Sequence, residues 1–155
     1  MELFHAILLA IVEGLTEFLP ISSTGHMIIV SSGLGIADLP FTKTFTVAIQ
    51  LGAILAVVAI YWKKFIDFRN PKFYFKLGIA VIPALIIGKL LDDHIDAALG
   101  NPVFIACSLI GGGILLLFVD KWFRNPVITD EKEISYMKAL MIGFWQCLAV
   151  ILPGL

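Results

Sequence analysis

Four apolar stretches, Phe45–Trp62, Phe73–Leu91, Pro102–Val119 and Tyr136–Leu155, are each about as long as a helix must be to cross the hydrocarbon core of a bilayer. Lipid offers no hydrogen bonds, so a segment there must satisfy its own backbone groups, and a lone segment does so only as a helix. Composition agrees: 59% of the 155 residues are hydrophobic and 15% are charged, with a mean hydropathy of +0.97, whereas a soluble domain is about one quarter charged. The expectation is an all-α integral membrane protein, a multi-span helical bundle forming a single membrane domain over residues 1–155, with spans at 45–62, 73–91 and 102–119 and a further segment at 136–155. A net charge of −1 and the lack of a long basic run argue against nucleic acid as a partner. Cys107 and Cys147 both fall in apolar segments and read as small buried hydrophobes. A cleavable signal peptide is not expected, because the first apolar stretch lacks a basic leader and is interrupted by Glu13 and Glu17.

Two shorter apolar pieces come first, Leu3–Leu19 and Met27–Ile36, separated by Pro20 and the polar run Ser22, Ser23, Thr24, Gly25, His26. Neither the second piece nor the break suits a simple crossing. A helix, a polar break and a short returning helix describe a re-entrant hairpin over residues 1–40, whose irregular backbone is tolerated at depth only against protein or a wet cavity. Charges at that depth are costly and mark sites. Glu13 and Glu17, spaced i and i+4, project from one helical face about a turn apart.

The chemistry follows from the residue types. Glu and Ser oxygens are hard ligands for Mg²⁺ or Ca²⁺, above all when a phosphate completes the shell. An imidazole such as that of His26 suits a general base or a nucleophile. Amides at Ser23–Gly25, opening the next helix, suit an anion. Phosphoryl hydrolysis of a membrane-embedded substrate fits this set. An ion- or proton-coupled transporter or lipid flippase using Glu13 and Glu17, with Gln50 within a span, fits it equally. Taken alone, Ser22, Ser23 and Thr24 also make an ordinary helix cap.

Loop charge sets the orientation. Lys63, Lys64, Arg69, Lys72 and Lys76 follow the first full span; Lys121, Arg124, Lys132 and Lys138 surround the third loop; the loop between, Asp92 to Asn101, holds Asp92, Asp93 and Asp96 and no Lys or Arg. By the positive-inside bias the basic loops are cytoplasmic, and the Ser-Ser-Thr-Gly-His turn opens on the opposite side with the acidic loop. Tyr61, Trp62, Trp122 and Tyr136 stand at span ends, as interfacial anchors do. Gly111–Gly113 reads as a close-packing face, and Gly78, Pro83 and Gly88 interrupt another span. Glu13 precedes Pro20 by seven residues, and Gln146 precedes Pro153 by seven; such an echo of broken helices is how inverted repeats look, with 136–155 as the start of a second, incomplete repeat.

The run from Val12-Glu13-Gly14-Leu15-Thr16-Glu17 through Pro20-Ile21-Ser22-Ser23-Thr24-Gly25-His26-Met27 resembles the bacterial undecaprenyl-diphosphate phosphatases, the bacitracin-resistance family. So do Lys43-Thr44-Phe45 through Gln50-Leu51-Gly52-Ala53-Ile54-Leu55-Ala56-Val57, and Ile142-Gly143-Phe144-Trp145-Gln146-Cys147-Leu148-Ala149. The resemblance implies the first half of an inverted-repeat fold, in a multi-pass protein of the bacterial inner membrane with its active site facing the periplasm. It implies hydrolysis of undecaprenyl diphosphate to undecaprenyl phosphate and phosphate, the lipid-carrier step of cell-wall synthesis, with bacitracin resistance as a consequence. Carried over by position, Glu13 and Glu17 match the acidic motif for the divalent metal and catalysis. Ser23 and His26 match the proposed nucleophile or base, with the attacking group left open, and Ser22, Thr24 and Gly25 fall in the phosphate-binding turn. The implied partners are the lipid substrate, membrane lipids and a second copy of the chain. The family's second motif, Pro-Gly-x-Ser-Arg-Ser, is met only as far as Pro153-Gly154-Leu155, so the chain is expected to correspond to the N-terminal part of such an enzyme, without the catalytic Arg.

Overall fold

The computed structural model describes residues 1–65, 71–122 and 134–151. Among the described residues there are seven helices and no strand: α1 (Leu3–Thr16), α2 (Ser23–Gly33), α3 (Pro40–Phe65), α4 (Pro71–Leu90), α5 (Asp92–Leu99), α6 (Pro102–Trp122) and α7 (Tyr136–Ile151). Three helix starts share one local device. Pro40, Pro71 and Pro102 each occupy the first helical position, where a missing N–H costs nothing. Asn101 adds a cap to α6, its Oδ1 accepting from the backbone N–H of Val103 and Phe104, both at 3.1 Å. Ser135 Oγ accepts from the Lys138 N–H at 3.2 Å to start α7.

Three segments are long and apolar enough to cross a membrane, Pro40–Lys63, Pro71–Leu90 and Pro102–Val119. The first starts five residues earlier than the apolar run suggests, because Pro40 rather than the first aromatic residue sets its beginning. Their outward faces are apolar: Val47, Leu51, Ile54, Leu55 and Val58 on α3 are all exposed, as are Ile110, Ile114 and Leu117 on α6. A surface of this kind belongs in lipid, and the protein is an integral membrane protein. α7 is 16 residues long as described; Pro153 and Gly154, which carry the echo of the N-terminal motif, lie outside the described residues, as do Arg69, Arg124 and Lys132.

Four details depart from the sequence reading. The acidic loop is α5, a short helix, with Asp92 and Asp93 in its first turn, where the helix dipole favours them; Leu91, Ile95, Ala98 and Leu99 are its half-buried positions, and it packs on α6. The glycine triplet is not a continuous packing face, since Gly112 alone is buried while a side chain at Gly111 or Gly113 would meet open space. Cys147 is buried as expected, but Cys107 is exposed on the outward side of α6. Pro83 leaves α4 unbroken and is buried against α7 instead.

α4 and α7 form the most extensive helix pair. They run parallel: the Phe75 and Tyr136 rings meet at 6.1 Å near both starts, and Gly143 faces Ala80 and Pro83 one to two turns later. The other assembly is α1, α2, α3 and α6, with Leu9, Met27 and Ile36 as its buried apolar centre and Phe45 and Ile49 of α3 against it.

Within that assembly the first two helices make a hairpin that does not cross. α1 is about 21 Å long and α2 about 17 Å at 1.5 Å per residue, short of a 30 Å core. Both outer ends sit at the beginning of α3: Thr42 donates to the Met1 sulfur at 3.7 Å, and Ile36 leads through a short turn into Pro40. The tip sits much deeper, against Gln50 of α3 and the stretch Leu109–Leu116 of α6. Entry and exit share one face, and the turn lies midway along the spanning helices.

Candidate active site

The hairpin tip is built from residues 13–26. α1 ends at Thr16, four residues before Pro20, which has no N–H to give the Thr16 carbonyl. The Glu17 N–H still closes a helical bond to the Glu13 carbonyl at 2.9 Å, so the two carboxylates keep their one-turn spacing. Turn bonds from Leu19 to Thr16 and from Ile21 to Leu19 carry the chain around. Ser22 then takes a left-handed conformation, φ 59°, that non-glycine residues rarely adopt. From there it caps α2, with its Oγ accepting the Gly25 N–H at 3.4 Å. The hydroxyl run therefore opens α2 at Ser23, four residues before the apolar pattern would start it.

Gly25 has a packing reason. A Cβ there would stand 3.2 Å from Ile105 Cγ2 and 3.3 Å from Leu109 Cδ2, so its bareness lets the start of α2 lie directly on α6. Its amide is engaged by Ser22 in this state.

Three of the expected residues, Glu13, Glu17 and Ser23, come together. The Ser23 hydroxyl donates to Glu17 Oε2, and Ser23 itself is buried. Glu13 is 2% exposed, yet neither of its carboxylate oxygens has a hydrogen-bond partner among the described residues. A buried polar group is nearly always bonded, and an unpartnered one calls for an explanation such as an absent ion. His26 Nδ1 lies 2.9 Å from the Ser22 carbonyl oxygen. A carbonyl can only accept, so Nδ1 is the donor here, and in the neutral tautomer that makes this bond the lone pair lies on Nε2. Thr16, by contrast, spends its hydroxyl on the Val12 carbonyl within its own helix, at 2.7 Å.

His26 also lines a cleft of about 240 Å³ between the tip and α6, otherwise walled by Pro20, Ile21, Leu109, Ile110, Gly113 and Leu116. Of the candidate site residues, His26 thus borders an otherwise apolar space. Sequence reasoning did not find the α6 wall, since nothing in its apolar run separates a cleft-lining face from a lipid-facing one. Gln50 was visible as a polar residue in a span, but only the structure brings its Nε2 within 2.8 Å of Thr24 Oγ1.

Residues 6–155 match the family described as bacitracin resistance protein BacA. The chain belongs to that family. It is 56% identical to the undecaprenyl-diphosphatase of Flavobacterium johnsoniae over 155 residues, which cover 99% of this chain and 57% of that protein. Identity to the undecaprenyl-diphosphatase of Flavobacterium psychrophilum is 57% over 154 residues, with the same coverage of both, and to that of Bdellovibrio bacteriovorus 46% over 156 residues, 99% of this chain and 58% of the other. The chain therefore spans somewhat under three fifths of the length of these curated relatives, and the part it matches includes the whole hairpin tip.

Proposed function

We propose that this chain carries the catalytic hairpin of an enzyme that removes the terminal phosphate of undecaprenyl diphosphate, yielding undecaprenyl phosphate and inorganic phosphate. The observation that carries the reading is the Ser23 hydroxyl donating to Glu17 beside a buried, unpartnered Glu13. A hydroxyl bonded to a carboxylate is a nucleophile with its base in place. Membership of the bacitracin-resistance family and the names of its relatives support hydrolysis over coupled transport.

On this reading Ser23 Oγ attacks the terminal phosphorus while its proton passes to Glu17. The bond from that phosphorus to the bridging oxygen breaks, and undecaprenyl phosphate leaves. Water then attacks the phosphoserine, giving a proton to His26 Nε2; Ser23 recovers its proton from Glu17 and phosphate departs. The ring's Nδ1 bond to the Ser22 carbonyl keeps Nε2 free for this duty. Ser22, Thr24 and the Gly25 amide surround the phosphate, and the apolar cleft beside His26 takes the start of the prenyl chain.

A divalent cation, Mg²⁺ or Ca²⁺, suits Glu13 and Glu17. Both oxygens of a buried carboxylate are unclaimed, and hard oxygen ligands from diphosphate and water would complete the shell. When bound, such an ion neutralises the charge on the phosphate oxygens.

We place the protein in the bacterial inner membrane with the tip opening to the periplasm. The described basic residues support this: Lys63, Lys72, Lys76, Lys121 and Lys138 cluster at the ends of α3, α4, α6 and α7 away from the hairpin mouth, against Lys43 and Lys89 on the mouth side. Membrane lipids and a second copy of the chain complete the proposed partners, the copy to be sought by mass in detergent.

The test is phosphate release from undecaprenyl diphosphate in detergent, with Mg²⁺ or with EDTA. It compares the chain as given with a chimera completed by the remaining residues of the Flavobacterium johnsoniae relative. Metal-dependent release is expected from the chimera and its loss on Ser23→Ala; a folded chimera that releases no phosphate would overturn the proposal.

A further inference from the structure

Thr24 is held from outside the hairpin. Its Oγ1 lies 2.8 Å from Gln50 Nε2, on the spanning helix α3, and both side chains are half-buried. The direction of this bond matters more than its presence. An amide nitrogen has only protons to give, so Thr24 Oγ1 is the acceptor. That contact occupies a lone pair and turns the Thr24 hydroxyl proton away from α3. Thr24 is the second residue of α2, between Ser23, which is bonded to Glu17, and Gly25, which is packed on α6. A proton directed away from α3 at this position faces the same turn as the Ser23 hydroxyl.

We propose that Gln50 is a positioning residue that occupies one of the two lone pairs on Thr24 Oγ1 and biases its hydroxyl to donate, so that the tip offers a proton to an anionic diphosphate. This rests on the hydrolase reading above. The same threonine facing a carboxylate would do the reverse, because the carboxylate would take its proton and leave lone pairs toward the phosphate. Two nearly isosteric replacements therefore separate orientation from tethering. Gln50→Glu keeps a hydrogen bond to Thr24 but inverts its direction. Gln50→Met abolishes the bond and leaves the hydroxyl free to rotate toward an anion.

The experiment measures binding of a prenyl methylenediphosphonate, whose P–C–P link resists hydrolysis, by calorimetry on the completed chimera in detergent with Mg²⁺ present. Helicity by circular dichroism establishes that each variant is folded. The dissociation constant is expected to rise about tenfold or more for Gln50→Glu and only a fewfold for Gln50→Met, as loss of a hydrogen bond to a charged group allows. In a Thr24→Val background the gap between the two should close. The opposite order, with Gln50→Met the weaker binder, would mean a simple tether and overturn the inference. A gap that persists without the Thr24 hydroxyl would overturn it too, since the new carboxylate would then be repelling the ligand directly. If the folded, unsubstituted chimera fails to bind the probe at all, the hydrolase reading falls and this inference falls with it; in the first two outcomes only the inference does.

Discussion

The hairpin tip and the α4–α7 seam are both places where one backbone comes very close to another inside the membrane, and they are made of opposite materials. At the seam, Gly143 approaches the Ala80 carbonyl so closely that a Cβ would stand 2.2 Å from the oxygen, and Pro83 fills the next turn. No carboxylate or imidazole stands at that contact. Around Gly143 the approach is one of packing, as expected where lipid removes any hydrophobic drive between helices. At the tip, Gly25 makes a similar though looser approach to Ile105 and Leu109, but the neighbouring positions hold carboxylates, hydroxyls and an imidazole. One contact is closed on itself. The other leaves a buried carboxylate without a partner, a left-handed Ser22 and a free ring nitrogen on His26. The comparison teaches that close helix approach alone does not mark a site; unmet polar demand at the same depth does.

The largest effect that would sharpen this contrast is on chemistry. Glu17→Gln preserves shape and an acceptor for Ser23 but cannot take its proton, so phosphate release by the chimera should fall about a hundredfold or more. Retained turnover would remove Glu17 from the role of base. Next comes the unpartnered carboxyl. Glu13→Gln should leave the metal-free protein as stable as before or more so, since it removes a carboxyl buried beside the Glu17 carboxyl with no other group to bond it. The same variant should lose the stabilisation by Mg²⁺, which for a single site at a hundredfold excess over Kd amounts to about 2.7 kcal/mol. Thermal unfolding in detergent with and without Mg²⁺ reads both quantities, and an unchanged metal response would break the assignment.

The seam should behave the other way. Gly143→Ala forces α4 and α7 apart and should cost about 1–3 kcal/mol by overpacking, seen as a lower unfolding midpoint, while turnover per folded molecule stays as it was. A drop in turnover with no loss of stability would show that the two regions are coupled. The smallest effect is at Ser22. Glycine there relieves the left-handed backbone but gives up the cap to Gly25, so Ser22→Gly should move stability by only a few tenths of a kcal/mol. A large loss would mean that the Ser22 side chain holds more than the start of α2.

Most of the architecture was legible because membrane depth simplifies the code. Three apolar runs of sufficient length correspond to α3, α4 and α6, and a proline at each start explains their first residues. The helix break was legible at Pro20, though α1 ends earlier and α2 begins earlier than the apolar pattern indicates, because turn bonds and a serine cap decide those boundaries. α5 was hidden by its charge: three aspartates in ten residues look like a loop, and only packing against α6 makes them a helix. In the site, Glu13, Glu17, Ser23 and His26 were visible as costly groups in a costly place. The partners of those groups were not. Neither the Ser23–Glu17 bond nor the tautomer of His26 follows from spacing, since each depends on how the chain turns between residues 17 and 22.

The amino-acid sequence by itself determined the solvent, the places of three long apolar helices, the family and the residues able to do chemistry, because each of these is set by composition or by local order along the chain. Only the tertiary structure decided that the hairpin tip rests halfway along α3 and α6, and that Gln50 reaches Thr24 across 26 positions of sequence. The physical reason is that hydropathy depends on each residue alone, whereas a hydrogen bond or a cleft wall depends on two segments meeting, and in lipid that meeting is governed by the shapes of helix surfaces, which no single run of apolar residues encodes.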